Sequence, residues 1–385
     1  MRTPAEPRWG FWHSILGGLT AADWRRLLRE NRFAIDPVYW HRAGFLTLVS
    51  LINSRLRRRQ EDLYGPAIEA ARITESPLFI LGHWRSGTTH LHNLLAQDTE
   101  QFAFPNSFQV CHPHTFLYTE EEVKRRFGGV LPRNRPQDNV EIRLDTPQED
   151  EFALLLTTLR SPYLGMFVFP RHEERYAGYL TFRSVPKWEI QEWKRAFLRF
   201  LQQVTLKHGR ALVLKSPTHT ARVRLLLELF PNARFVHIHR HPHAVFQSSR
   251  RLFESLPPMH LLQRLDTRTL DDGILRRCTQ MYDAFFEDRA LIPAGQFHEV
   301  RFEDLEADPV GQMRSLYEGL GLSGFERLKP KLEQYVSSLS SYKKNRFGEL
   351  EPSLRGKIRT AWERSFDAWG YCDNEEKKVC ERDRP

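Results

Sequence analysis

Residues 82–89, Gly82-His83-Trp84-Arg85-Ser86-Gly87-Thr88-Thr89, have the composition of an anion-binding loop. They follow the apolar run Leu78-Phe79-Ile80-Leu81 and precede His90-Leu91-His92-Asn93-Leu94-Leu95, whose leucines fall at helical spacing. A strand, a tight turn and a helix start in this order form a phosphate cradle. Backbone N–H groups and the positive end of the helix dipole converge there, and Gly82 and Gly87 let the chain approach an oxyanion closely. The glycine spacing is that of a Walker A loop, but the lysine position holds Thr88 and the cation comes earlier, at Arg85. The loop therefore points to a phosphate-bearing donor other than ATP or GTP. Two further cations close apolar runs: Lys215 after Ala211-Leu212-Val213-Leu214, and Arg240 after Phe235-Val236-His237-Ile238-His239.

These cations need elements to carry them. The apolar runs read as buried strands, each followed by a turn and a helix: Ser216-Pro217-Thr218-His219 then 220–230, and His241-Pro242 then 243–253. Phe297 to Phe302 fits a further strand. The alternation predicts an α/β fold, P-loop-like and three-layered, with a central parallel sheet. Ligands of such sheets gather at the carboxyl ends of strands, where Gly82, Lys215 and Arg240 all lie. Residues 1–76 read as an N-terminal helical extension, 77–371 as the main domain and 372–385 as a charged tail. The stretch 98–146, with its prolines and Gly128-Gly129, reads as loops. A helix is expected from Thr146-Pro147, with Glu149 and Glu151 flanking its apolar face and Asp150 pointing away.

The chain has 385 residues, a net charge of +9 and four cysteines, none in a Cys-x-x-Cys pair. The charge favours anionic partners. The cysteines read as reduced thiols and, with no secretory pattern at the start, the protein as cytoplasmic. Phe45 to Ile52 is too short to span a bilayer but runs into Arg55-Leu56-Arg57-Arg58-Arg59. Such a patch either rests on an anionic membrane or packs as an amphipathic helix on the domain, and the second is the simpler reading. The alternating His237, His239, His241 and His243 turn at Pro242 without a nearby carboxylate or cysteine, so no metal is expected.

Taken together, the motifs resemble those of sulfotransferases that use 3′-phosphoadenosine 5′-phosphosulfate (PAPS), especially the carbohydrate and tyrosyl-protein branch and its bacterial relatives. The likeness runs from about Pro77 to Tyr371. It implies that Arg85, Ser86, Gly87, Thr88 and Thr89 hold the 5′-phosphosulfate, and that Arg240 and Ser248 hold the 3′-phosphate. It also implies that Lys215, of Lys215-Ser216-Pro217, lies near the sulfuryl group, and that Tyr342-Lys343-Lys344-Asn345 closes over the nucleotide. His90 stands next to the loop, either against the purine or in ordinary packing. Glu303-Asp304-Leu305 reads as structural. Two positions depart from the family: His241 follows Arg240 where many relatives have aspartate, and Phe102 to Ser107 lacks the acid that several relatives use as a base. Gln148-Glu149-Asp150-Glu151 resembles a Pro-Glu-Glu-like helix start in bacterial relatives. Glu149 is therefore the first choice for the base and Glu151 the second, with His219 and His112 as alternatives. The resemblance implies sulfuryl transfer to a hydroxyl or amine of an acceptor such as a carbohydrate or lipid. The competing readings are a P-loop kinase or NTPase and, last, a nucleic-acid binder. No nucleic acid is expected, because the arginines belong to no recognition module.

Overall fold

The computed structural model describes residues 14–127, 143–255, 259–339 and 348–372. In chain order the elements are α1 (Ala21–Glu30), α2 (Trp40–Ala70), β1 (Leu78–Leu81), α3 (Thr88–Leu95), β2 (Phe102–Ala103), α4 (Ser107–Cys111), α5 (Phe116–Phe127) and α6 (Glu151–Thr158). Then follow α7 (Glu173–Ala177), α8 (Lys187–His208), β3 (Ala211–Lys215), α9 (Val223–Leu229), β4 (Arg234–His239), α10 (Pro242–Ser255) and α11 (Leu270–Asp288). The rest are β5 (Phe297–Arg301), α12 (Phe302–Ala307), α13 (Pro309–Gly319), α14 (Phe325–Ser338), α15 (Pro352–Ala361) and α16 (Glu363–Ala368). The fold is α/β: a five-stranded parallel sheet with flanking helices. It forms two compact units, one of residues 1–77, 99–214 and 254–266, the other of 78–98, 215–253 and 267–385.

In the first unit, β2 pairs in parallel with β3, Phe102 against Ala211. The aromatic face of α8 builds the core, with Trp193, Phe197 and Phe200 all but sealed from solvent. Helix α1 begins at a Thr20 cap and lies against α2, where Trp24 Nε1 donates to Thr47 Oγ1 at 2.9 Å. The 98–146 stretch is not all loop, since α4 and α5 occupy it. An Asn106 capping box starts α4, and buried Phe108 and Phe116 anchor the pair, so apolar anchoring prevails over the local proline signal. The helix expected at Thr146 starts five residues later, at Glu151. Residues 144–148 instead bond back to 105–108: Ser107 N donates to Thr146 O at 2.9 Å and Gln148 N to Pro105 O at 3.0 Å. The shift puts Glu149 ahead of the helix and buries Asp150 fully, against the expectation that it points away.

In the second unit the order is β1-β4-β5, with Leu81 opposite His237 and His239 opposite Arg301. All four β1 residues are buried, the pattern of a strand covered on both faces. The last helical stretch is broken at Trp362, the C-cap of α15, before α16 begins. Cys111 and Cys278 are free thiols, but Cys372 is disulfide-bonded, which corrects the reading of four reduced thiols. Among the described residues no helix is long and apolar enough to cross a membrane, and no group of three or more His, Cys, Asp or Glu is placed to hold a metal.

Candidate functional site

The second unit carries the loop and the strand-end cations. β1 ends at Leu81 and the chain turns at once through Gly82, whose φ is 148°, and later through Gly87, at 103°. A Cβ on Gly82 would stand 2.5 Å from Ile238 O, and one on Gly87 would overlap the Phe302 ring. Glycine at both positions is therefore required by sterics as well as by backbone conformation. Arg85 itself sits at φ 73°, the left-handed region where a side chain costs about 1–3 kcal/mol. Such local strain is held by its surroundings, and these are well defined. Ser86 Oγ donates to His83 O at 2.8 Å, and Gly82 N donates to Thr220 Oγ1 at 2.7 Å. His83 Nδ1 lies 2.7 Å from Trp84 O, and Tyr282 Oη receives His83 N at 3.2 Å. Burial pushes the His83 pKa down to about 4, so the ring is neutral and adds no charge to the loop.

Helix α3 then starts at Thr88 with Gly87 as its N-cap, so no capping side chain covers its first turn. Ser86 and Thr88 are buried, and Thr89 and His90 are half-buried. Arg240 follows the last residue of β4, and Ser248 lies on α10. The fold brings them to the loop: Arg85 Nε donates to Ser248 Oγ at 2.9 Å, and Arg240 Nη1 approaches Arg85 O at 3.4 Å. Arg240 also lies 4.4 Å over the Phe302 ring. Its pKa is lowered, first by burial and further by the Arg85 charge, against the opposing pull of Glu303 and Glu306. Two guanidinium groups so placed form a site that favours an anion.

His241 is held in the turn that follows Arg240. Its backbone N donates to Glu303 Oε1 at 3.0 Å and its Nε2 lies 2.9 Å from Cys372 O. Glu303 also accepts from Tyr371 Oη at 2.9 Å and from Arg301 Nε at 3.3 Å, a structural part in keeping with its reading from sequence. The histidine run is occupied similarly. His237 Nδ1 meets Glu299 Oε1 at 3.0 Å, and His239 Nδ1 meets Tyr371 Oη at 2.9 Å with its ring stacked on Trp369. Lys215 opens the second unit's middle segment and is buried, as are Ser216 and His219; His219 meets the Phe79 ring edge-on at 5.5 Å.

The proposed bases Glu149, Glu151 and His112 are in the first unit. Glu149 Oε2 accepts from Tyr163 Oη at 2.5 Å, whereas Glu151 is fully buried. Burial lowers the His112 pKa to about 4, and the ring lies 4.5 Å from Phe108. Asn106, within the stretch Phe102 to Ser107 that has no acid, caps α4 and donates to Glu120 Oε1 at 2.7 Å. Tyr342, Lys343, Lys344 and Asn345 lie outside the described residues. Sequence reading missed Phe302 and Thr220. The signal for Phe302 was an aromatic at a strand end, and for Thr220 a hydroxyl three residues beyond Lys215-Ser216-Pro217.

The sequence profile of the sulfotransferase family matches residues 77–327. The omega-hydroxy-beta-dihydromenaquinone-9 sulfotransferase Stf3 of Mycobacterium bovis is 38% identical over 365 residues, covering 94% of this chain and 93% of that protein. The protein of the same name from Mycobacterium tuberculosis gives the same values. Among solved structures, sulfotransferase STF1 of Mycobacterium tuberculosis superposes with a TM-score of 0.63 at 18% identity, covering 90% of this chain and 93% of its own. Sulfotransferase STF9 of Mycobacterium avium gives 0.63 at 21% identity, with 91% and 96% covered. At these identities the two structures speak for the fold.

Proposed function

Because the chain belongs to the sulfotransferase family, and is thereby a sulfuryl-transfer enzyme, we propose that its donor is PAPS and its acceptor the hydroxyl of a lipid. The observation that carries the donor reading is the convergence of Arg85, Ser248 and Arg240 beside a glycine-turned loop at a helix start. A nucleotide with phosphates at both its 3′ and 5′ positions needs cationic and hydroxyl contacts for each, and the proximity of these three side chains supports that reading. The lipid reading is supported by the substrate in the name of the 38% identical relative, a hydroxylated menaquinone derivative.

The roles follow from charge. Backbone N–H groups of Ser86 to Thr89, with Arg85, hold the 5′-phosphosulfate, and Arg240 and Ser248 hold the 3′-phosphate. Sulfuryl transfer is an in-line displacement in which positioning and charge stabilisation dominate. The acceptor oxygen forms a new S–O bond as the bond from sulfur to the bridging oxygen breaks. Lys215 neutralises the charge that gathers on that departing oxygen. Glu149 takes the acceptor's proton, and Tyr163 fixes the orientation of its carboxylate. Glu151 and His219 are the alternative bases. No metal takes part in these steps.

The test is isothermal titration of the protein with 3′-phosphoadenosine 5′-phosphate (PAP), the desulfated product, beside ATP with magnesium. Tight PAP binding that weakens sharply on removal of the 3′-phosphate is the expected result. Preference for ATP with magnesium would overturn the donor reading in favour of a kinase.

A further inference from the structure

Helix α2 turns a group of large apolar residues outward. Between Trp40 and Ile52, the large apolar residues Trp40, Leu48, Leu51 and Ile52 are 51–64% exposed. At about 100° per residue they share one side of the helix, within about 120° of each other. The buried residues Arg42, Leu46, Ser50 and Asn53 lie on the opposite side. That inner side is well secured: Arg42 Nη1 donates to Leu261 O at 2.6 Å, and Asn53 Nδ2 donates to Gly17 O at 2.7 Å and Leu19 O at 3.0 Å. The helix is thus docked on its own unit by a polar seam and turns its oily side outward. The packed amphipathic helix expected from sequence is present, but with its apolar residues reversed.

The charge pattern identifies the occupant. From Trp40 to Gln60 there is no aspartate or glutamate, and the apolar stretch runs directly into Arg55, Arg57, Arg58 and Arg59. All four are exposed, and Arg55 continues the same side as Leu48 and Ile52. Apolar side chains followed by four arginines before the first carboxylates, Glu61 and Asp62, with a tryptophan at the other end, match the boundary between acyl chains and anionic headgroups. A protein partner would meet the apolar side chains equally well, but the run of arginines next to them, with no carboxylate between Trp40 and Gln60, favours a negatively charged surface.

We propose that the outer face of α2 is an interfacial docking surface for a bilayer containing anionic lipid, on which the enzyme meets a lipid acceptor. The proposal deepens the lipid-acceptor reading and rests on it for the purpose of the contact. The helix lies in the interface plane, with Leu48, Leu51 and Ile52 in the acyl boundary and the arginines at headgroup level.

Flotation of the full chain with vesicles tests this. The protein should float with phosphatidylcholine–phosphatidylglycerol vesicles, remain behind with phosphatidylcholine alone, and be released by salt. Arg55→Gln with Arg58→Gln should weaken partitioning roughly 30-fold, at the strength usual for two basic residues near an anionic surface. Leu48→Ser with Leu51→Ser and Ile52→Ser should abolish it. Unchanged PAP titration in both variants verifies that the fold survives. Failure of the unaltered protein to float would overturn the proposal, as would variants that float equally well. So would a solution dimer that the serine variant alone dissolves, which would assign the face to a second copy. The acceptor reading is judged separately, with a hydroxylated quinone presented in detergent. Sulfation there without vesicle binding removes the docking surface and keeps the acceptor; vesicle binding without sulfation does the reverse.

Discussion

Replacing Arg240 with alanine separates the proposed 3′-phosphate grip from every other contact with the donor. In the free protein the guanidinium is buried near Arg85, a position that disfavours its charge and that an anion would relieve. Its compensation comes from the nearby Glu303 and Glu306 carboxylates and from the Phe302 face at 4.4 Å, the latter worth about 0.5–2 kcal/mol. These contributions oppose each other, so the melting temperature of the ligand-free variant should move little. With PAP bound, the lost contact is a charge-assisted hydrogen bond to phosphate, about 1.5–3 kcal/mol, or roughly 10- to 150-fold in Kd. Isothermal titration should therefore show that loss with PAP and almost none with adenosine 5′-phosphate, which lacks the 3′ group. The stabilisation by excess PAP, about 2.7 kcal/mol at one hundred times Kd, should shrink in parallel. An equal loss for both ligands would mean that Arg240 supports the fold and not the phosphate. No loss with PAP would refute the assignment.

Gly87→Ala forces a side chain into φ 103° against Phe302, so PAP binding should fall sharply and stability by about 1–3 kcal/mol. Titration and denaturant melts read both, and a variant with normal PAP affinity would show that the loop conformation is dispensable. Glu149→Gln should reduce kcat roughly 10²- to 10⁴-fold while leaving PAP affinity unchanged, as expected for loss of a general base; steady-state kinetics at the original rate would move the base elsewhere. Glu120 is sealed from solvent. Burial raises its pKa, but Lys124, Lys207, Asn106 and Gln109 together bring it down to about 2 from an ordinary 4.5. Its folded pKa is depressed, so its stabilisation is fully present above pH 4.5 and disappears as the pH falls toward 2. Glu120→Gln should cost about 3 kcal/mol at neutral pH and remove that part of the acid dependence. Melts that keep the original acid slope would dismiss the network as a stabilising element.

The strands and their terminal cations were legible because each is a short apolar run closed by a polar turn, a signal contained within a few residues. Arg240 and Ser248 were singled out through a family motif, and the fold does bring both to Arg85. The start of α6 was not legible, since Pro147 advertises a first helical turn that strand-like pairing of 144–148 with 105–108 pre-empts. Asp150 was misjudged as a direct result, because a helical wheel is only as good as its starting residue. Phe302 lies more than two hundred residues from the loop it underlies, so nothing local could announce it. Thr220 is legible only as a polar residue in a turn; that it holds Gly82 is a long-range fact.

The interleaving of the two units dictates an order of assembly on the ribosome. β1 and its loop belong with β4, yet Leu81 and its partner His237 are separated by the synthesis of the intervening chain, roughly ten to thirty seconds at about 5–20 residues per second. During that interval a fully apolar strand waits without its neighbour while most of the other unit is being made. The turn that carries Arg240 is fastened later still, when Tyr371 and Cys372 arrive to meet Glu303 and His241. Nascent chains halted before that point should hold the first unit's core but not the donor grip, so competence to bind nucleotide comes last in the life of the new chain.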